Sequence, residues 1–137
     1  MNYYAVIDTN VLVSSMLKGT SIPGIIVDKA INGPIIPLLN DEILEEYEEV
    51  LLRNKFGFEE QDVNTLIGEL KNRAVYLDRT ESEEIFDDPD DIVFYEIVMT
   101  ARTAVDAYLI TGNKKHYPVK SFVVTPREML DIIGEEI

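Results

Sequence analysis

The 137-residue sequence contains no cysteine and only one histidine, His116. Without cysteine, the chain cannot form disulfides, iron–sulfur clusters or thiolate-bound zinc sites, and it has no thiol nucleophile. A single histidine excludes histidine-rich zinc sites and leaves a serine-type catalytic triad with one possible base. These absences remove whole classes of catalytic and metal-binding site.

Basic residues are also scarce. The chain has 12 lysines and arginines against 26 aspartates and glutamates, which gives a formal net charge of −14. Solubility alone needs a net charge of only about 2–8 in magnitude. The excess of acid predicts that the chain as a whole binds nucleic acid and anionic membranes poorly.

Long apolar runs are absent too. No run approaches the roughly 20 residues of a membrane span, and the N-terminus has no charged-then-apolar leader. A length of 137 residues is that of one ordinary domain, and an apolar content of 46% is enough for a buried core. We expect a single cytoplasmic domain over residues 1–137 that does not contact a membrane.

Strand and helix patterns alternate along the chain. Strands are expected at 3–7, 35–39, 75–77, 107–111 and 121–125. Helices are expected at 11–17, at 22–32, from 41 until the break at Gly57, at 59–74, at 92–103 and from 126. Pro37 is expected to weaken the second strand or to place it near an edge. This order indicates an α/β fold with three layers, α/β/α, around a central, mostly parallel five-stranded sheet.

Polar side chains follow four of the predicted strands. In open parallel sheets, ligands bind beyond the carboxyl ends of the strands, so these residues are expected to meet at one rim. Three of the four strand ends supply carboxylates, and the fourth supplies a hydroxyl and an amide. In strand order, the residues are Asp8; Glu42, Glu45 and Glu46; Asp87, Asp88, Asp90 and Asp91; and Thr111 and Asn113.

Converging carboxylates suit a hard divalent cation. Mg²⁺ takes carboxylate and water oxygens, and it tends to keep several waters. Without a cation, the carboxylates would repel one another and some would stay protonated. A bound metal ion can activate water for attack on a phosphodiester and stabilise the leaving oxygen. Such chemistry needs neither cysteine nor histidine, in agreement with the composition.

Four segments resemble, in the same order, the motifs of the PIN domain family. The first is the opening strand with Asp8-Thr9-Asn10, followed by Leu12 and Ser14. The others are residues 40–51, 88–94 and 108–118, which read NDEILEEYEEVL, DPDDIVF and YLITGNKKHYP. The resemblance covers about the whole chain and looks closest to the branch of toxins from toxin–antitoxin pairs. It therefore implies a PIN-like fold and a metal-dependent ribonuclease.

The resemblance also implies a role for individual residues. It matches Asp8, Glu46 and Asp91 to the family's first three acids, which would hold Mg²⁺ or Mn²⁺. Asn113 stands where many members have a fourth acid, so we expect one firm cation site and a weak second site that fills with the substrate phosphate. Asn10 matches the residue that holds the first carboxylate by a hydrogen bond. Supporting roles next to the ligands are expected for Ser14, Thr111 and Asp90.

The residues leave several assignments open. Glu42 lies one turn before Glu46 on the same helix face and competes with it, and Glu45 is a weaker competitor. Asp8 alone would also serve as an ordinary helix cap. Asp90 or Asp91 could cap the following helix while the other ligates, and Asp88 is close to both.

One short basic run lies beside the acidic rim. It consists of Lys114, Lys115 and His116, and these residues are candidates for contact with RNA phosphates. Substrate binding is expected to be weak and salt-sensitive because the rest of the chain is acidic.

The leading interpretation is an endoribonuclease that hydrolyses RNA with metal-activated water, as the toxin of a toxin–antitoxin pair. The expected partners are an RNA substrate, a cognate antitoxin protein and a second copy of the chain in a homodimer. The alternative is a catalytically weak PIN-like module that acts through a protein partner. A phosphatase with Asp8 as nucleophile is disfavoured, because such sites carry a second aspartate where this chain has Asn10.

Overall fold

A five-stranded parallel sheet forms the centre of the protein in a computed structural model, which describes residues 1–134. The strands are β1 (Tyr3–Ile7), β2 (Ile35–Leu39), β3 (Val75–Tyr76), β4 (Ala107–Ile110) and β5 (Val123–Val124). The helices are α1 (Thr9–Leu17), α2 (Ile22–Asn32), α3 (Asp41–Leu51), α4 (Glu60–Arg73), α5 (Ile92–Arg102) and α6 (Pro126–Ile133). Two short 3₁₀ turns span Pro89–Asp91 and Lys114–His116.

The strand order is β3-β2-β1-β4-β5, and all four pairings are parallel. The chain moves outward from β1 to β2 and β3 on one side, then returns to add β4 and β5 on the other. The direction of winding therefore reverses between β1 and β4. In sheets of this kind, the crevice at the carboxyl ends of those two strands is the usual ligand site.

The predicted α/β fold with a central five-stranded sheet is confirmed, and the sheet is parallel throughout. Three strands are shorter than predicted, because β3 and β5 each contain two residues and β4 ends at Ile110. Pro37 was expected to weaken β2 or bring it near an edge, and β2 lies second from the edge of the sheet, next to the two-residue β3. The proline is accommodated because β3 pairs only with Leu38 and Leu39, beyond Pro37.

The core lies on both faces of the sheet. Ala5, Val6 and Ile7 of β1 are almost completely buried, as expected for a parallel strand covered on both sides. Helix α5 packs against β1, β2 and β4, and α2 packs against α1, α4 and α6. Consecutive apolar residues in β1 therefore fix the strand at the centre and point its carboxyl end at the site.

Helix starts are set by local capping bonds. The side chains of Ser21, Asn40 and Thr125 accept hydrogen bonds from the backbone at the starts of α2, α3 and α6. Asn40 thus caps α3, so none of the acids of that helix is needed as its cap.

Within residues 1–134, no single helix is long and apolar enough to cross a membrane. Helices α1 and α2 together reach that length and apolar composition, but they are bent by 107° where they meet.

Tyr47 joins α3 to the central strand. Its ring is buried beside Phe94, and its hydroxyl donates a hydrogen bond to the backbone carbonyl of Ile7. This bond fixes the helix that carries Glu46 against the end of β1.

We expect Tyr47→Phe to lower the free energy of unfolding by about 1–2 kcal/mol, because it removes a buried hydrogen bond and leaves the carbonyl of Ile7 less satisfied. Urea denaturation measures the change. Tyr76→Phe is the matched control, since Tyr76 is 48% exposed, and its effect should stay within about 0.5 kcal/mol. Equal stability of Tyr47→Phe and Tyr76→Phe would contradict this role.

Candidate functional site

Asp8 lies at the carboxyl end of β1, in the crevice between β1 and β4, and only 6% of the residue is exposed. Three side chains donate hydrogen bonds to one of its oxygens, Oδ2. The donors are Thr111 Oγ1 at 2.8 Å, Tyr117 OH at 3.1 Å and Asn10 Nδ2 at 3.3 Å. Asp8 is the N-cap residue of α1, but its side chain makes no capping bond. The carboxylate is therefore held by the site and not by the helix.

Asn10 connects the ends of the two central strands. Its amide donates to Asp8, and its Oδ1 accepts a hydrogen bond from the backbone N–H of Gly112 at 3.0 Å. A Cβ atom at residue 112 would lie 3.3 Å from the Asn10 Oδ1 atom, which is closer than most such contacts. Glycine at this position therefore lets the β4 end approach Asn10.

Asp91, His116 and Asn113 form a second group. Asp91 Oδ2 lies 3.6 Å from His116 Nδ1, and Asn113 Nδ2 lies 3.0 Å from His116 Nε2. The backbone N–H of Asn113 also donates to Thr111 Oγ1 at 3.0 Å. Since Thr111 also binds Asp8, it links the two groups.

The carboxyls of Asp8 and Asp91 are both biased towards the protonated form. Burial raises the pKa of Asp8 above its usual value, and the hydrogen bonds from Thr111 and Tyr117 offset this in part. Burial, followed by the charge of Asp8, raises the pKa of Asp91 to about 6. Ionising both carboxyls in this desolvated crevice is therefore unfavourable unless a positive charge joins them.

This donor set suits a divalent cation. Mg²⁺ is commonly held by one or two carboxylates and completes its shell with water and substrate phosphates. The hydroxyl of Thr9, next to Asp8, is the one buried side-chain polar atom in residues 1–134 without a hydrogen-bond partner. Over the same residues, no group of three or more acidic or histidine side chains is arranged to hold a metal ion. Asp8 and Asp91, whose charges interact, are the two carboxylates that the crevice offers.

Glu46 faces a separate acidic groove of about 340 Å³ beside α3. Burial raises the pKa of the half-buried Glu46, and the charge of Asp90 across the groove adds to this effect. The lining residues are Glu42, Glu45, Glu46, Glu49, Arg79, Pro89, Asp90 and Val93. The structure thus brings Glu46 and Asp90 together, and separately it brings Asp8, Asp91 and Asn113 to the crevice.

Arg79 distinguishes Glu42 from Glu46. Its guanidinium donates to Glu42 Oε2 at 2.7 Å and to Glu96 Oε1 at 2.6 Å. Glu96 lies on α5, is only 4% exposed and also accepts the backbone N–H of Ser82. Glu42 is therefore occupied in an ion-pair network, and no ion pair involves Glu46 in the described part of the chain.

Asp91 is the N-cap residue of α5 by position, but the prediction that Asp90 or Asp91 caps the helix with its side chain is wrong. Asp88 caps this turn, because its Oδ1 accepts the backbone N–H of Asp90 at 2.9 Å, and Asp91 makes no capping bond. The prediction failed because a 3₁₀ turn at Pro89–Asp91 precedes α5 and moves the cap three residues earlier. Asp91 is left free to face Asp8.

The remaining predicted residues lie around the crevice. Ser14 lines a hollow of about 330 Å³ together with Asn10 and Asn113. Lys114 pairs with Glu128 on α6 at 3.0 Å. Lys115 is exposed, with no ion pair within residues 1–134. Of the three proposed RNA contacts, His116 is the one that reaches a carboxylate of the site.

Sequence reasoning missed Tyr117, Arg79 and Glu96 as parts of this region. Glu96 had a usable signal, because an acid within the apolar stretch of α5 must find a partner when it is buried. Arg79 follows β3, and no sequence pattern around it indicated a role at the site. Tyr117 follows the 3₁₀ turn at Lys114–His116, and only the folded chain shows that its hydroxyl turns back to Asp8.

The raised pKa of Asp91 predicts a pH dependence of stability in metal-free protein. Because the folded state binds this proton more tightly, the favourable contribution is present below about pH 4 and is lost as the pH rises through about 6. Asp91→Asn removes this loss. We therefore expect the stability of Asp91→Asn relative to the wild type to increase by about 1–3 kcal/mol between pH 4 and pH 7.5.

Denaturation in EDTA at both pH values measures the effect. Asp106→Asn, an exposed carboxyl before β4, is the control, and its relative stability should change by less than about 0.5 kcal/mol. A relative stability of Asp91→Asn that does not change with pH would show that burial and the charge of Asp8 do not raise the pKa of Asp91 in the folded protein.

Comparison with known proteins identifies the family of the chain. A family model described as the PIN domain matches residues 4–115, which include Asp8, Glu46, Asp91 and Asn113. No curated protein matches the chain. PIN domains are typically nucleases that use divalent metal ions, and the parallel sheet with acids at its carboxyl rim agrees with this match. The chain therefore belongs to the PIN domain family.

Proposed function

We propose that this protein is an endoribonuclease that uses Mg²⁺ or Mn²⁺. The observation that supports this most strongly is the pair of desolvated carboxylates, Asp8 and Asp91, at the reversal point of the sheet. Without a cation, the same pair would destabilise the folded state, because both carboxylates are desolvated and carry the same charge. A divalent cation would remove that cost and supply the charge that phosphodiester hydrolysis needs.

The residues of the crevice have distinct tasks in this proposal. Asp8 and Asp91 hold the cation, and the three donors to Asp8 Oδ2 fix that carboxylate in one orientation. His116 holds the amide of Asn113 by its Nε2 atom, so that the amide oxygen of Asn113 is the free ligand atom. When bound, the cation would supply a polarised water and neutralise charge on the phosphate.

Glu46 and Asp90 serve a weaker second cation in this proposal. They line the same groove, and the charge of Asp90 contributes to the raised pKa of Glu46. Asn113 brings no charge where a fourth acid would, so the second cation is expected to stay only when a substrate phosphate shares it.

We also propose the toxin role and a homodimer, for which the support is the resemblance of the four motifs. Expression of the wild-type chain alone should then arrest cell growth, whereas Asp8→Asn should not. A short reading frame next to this gene should encode a small protein that binds the chain and relieves the arrest. Growth arrest that is equal for wild type and Asp8→Asn would contradict a toxin that acts by cleavage.

We expect Asp8→Asn and Asp91→Asn to lower the rate of RNA cleavage in Mn²⁺ by at least about 100-fold, because each removes a charged ligand of the cation. Glu46→Gln should lower it by about tenfold or more. Glu42→Gln is the matched control from one turn earlier on α3, and it should stay within about threefold because Glu42 is paired with Arg79. Cleavage of a labelled single-stranded RNA measures all four variants.

The products provide a further criterion. Attack by metal-activated water should leave a 5′-phosphate and a 3′-hydroxyl, whereas a 2′,3′-cyclic phosphate would indicate attack by the ribose and contradict this route. If the wild type is as inert as Asp8→Asn in Mn²⁺, the alternative applies, namely a PIN-like module that acts by binding a protein. The uncharged Asn113 in place of an acid is the observation that favours that alternative.

A further inference from the structure

The loop at residues 53–58, between α3 and α4, differs from its surroundings. It reads RNKFGF, with two cations, two aromatic rings and no acid. Acid-rich stretches lie on both sides, at 41–49 and at 59–62. We call residues 53–58 the basic-aromatic loop. In a chain with a net charge of −14, a cationic segment without acids is a distinct surface feature.

The two phenylalanines of the basic-aromatic loop form a stack with one anchored ring and one outer ring. Phe58 packs against the hydrophobic core, and Phe56 lies outside the core cluster. The ring centroids are 5.5 Å apart and the planes are inclined by only 11°. Gly57, with φ of +68°, makes the left-handed turn between them. The core thus holds Phe58, and Phe58 holds the outer ring of Phe56 in place.

Positive charge lies directly at the outer ring. The ammonium of Lys55 lies over the half-buried ring of Phe56, 5.1 Å from the ring centroid, so a base that stacks on this ring would displace the exposed Lys55 side chain. Arg53 makes a two-pronged contact with Glu49, with distances of 2.7 and 3.1 Å, but both side chains are largely exposed. Exposed pairs of this kind are weak and exchange partners readily. Both cations are therefore available to a phosphate.

The basic-aromatic loop also lies next to the acidic groove. Glu49, the partner of Arg53, lines that groove together with Glu46. The hydrogen bond with Glu49 is the largest influence that raises the pKa of Arg53, and the charges of Glu46 and Asp90 contribute as well. A strand of RNA that reaches the groove would therefore meet the loop at its edge.

We propose that the basic-aromatic loop is a binding subsite for one nucleotide of single-stranded RNA, whose base stacks on Phe56 and whose phosphate binds Lys55 and Arg53. This inference rests on the proposed ribonuclease function and adds a residue-level substrate contact to it. Base stacking on an aromatic ring beside lysine and arginine is the usual way in which proteins hold single strands without reading sequence. A duplex keeps its bases stacked and cannot present one to the ring.

The loop also offers a way for a chain with a net charge of −14 to bind an anionic RNA substrate. The acids of the groove repel RNA, and Lys114 is already paired with Glu128. The basic-aromatic loop provides attraction that is partly non-electrostatic, because stacking does not depend on net charge.

Binding of a fluorescently labelled single-stranded RNA, followed by anisotropy at low salt in EDTA, tests the proposal. Without divalent cations the probe is not consumed, so the result does not depend on cleavage. Phe56→Leu should raise the Kd at least about fivefold, and Phe56→Tyr should restore binding because the ring is kept. Lys55→Gln should reduce the slope of log affinity against log salt by about 0.7. Phe56→Leu should leave binding to the duplex of the same sequence unchanged.

Lys71→Gln, at the other end of α4, is the control that removes an equal charge, and it should bind RNA like the wild type. If Phe56→Leu and Lys55→Gln also bind like Lys71→Gln, or if the wild type does not bind single-stranded RNA in EDTA, the loop is not an RNA subsite. If the loop variants lose binding while no protein cleaves RNA in Mn²⁺, the loop proposal stands and the nuclease proposal fails.

Discussion

The buried carboxylate of Asp8 is the constraint on which the rest of the site depends. It stands at the end of the central strand, where burial opposes its charge. The fold responds by directing three donors at one of its oxygens, from α1, from the residue after β4 and from the residue after a 3₁₀ turn. The bonds from Thr111 and Tyr117 connect parts of the chain that are about a hundred residues apart, so the charged site can form only when β4 has paired with β1.

The acidic residues of the chain are concentrated near this site. Half of the 26 acids lie in residues 41–49 and 81–91, on either side of the crevice and groove. Arg79 neutralises Glu42 and the buried Glu96, and Asp88 is used as a cap, so the acids near the rim are not equivalent. Asp8, Asp91 and Glu46 have no lysine or arginine ion-pair partner within residues 1–134, and burial raises the pKa of all three. This selective lack of neutralisation is what a cation site requires.

Much of this arrangement follows from the sequence, because it depends on local pattern and on the topology of parallel sheets. The strand-end rule was enough to bring Asp8, Thr111 and Asn113 to one rim, and the motif order identified the family. Contacts that depend on tertiary packing could not be predicted. The return of the Tyr117 hydroxyl to Asp8 and the bridge from Glu42 to Glu96 through Arg79 join elements whose relative positions no local pattern specifies. The difference between Glu42, which pairs with Arg79, and Glu46, which does not, is therefore visible only in the structure.

The most direct test of the central claim is a crystal of the wild-type protein soaked in Mn²⁺, with anomalous diffraction used to locate the ion. The cation site proposed at Asp8 and Asp91 predicts a single strong peak between these residues and weak or absent density in the groove beside Glu46. A strong peak in that groove with none at Asp8, or no bound ion at all at saturating Mn²⁺, would contradict it.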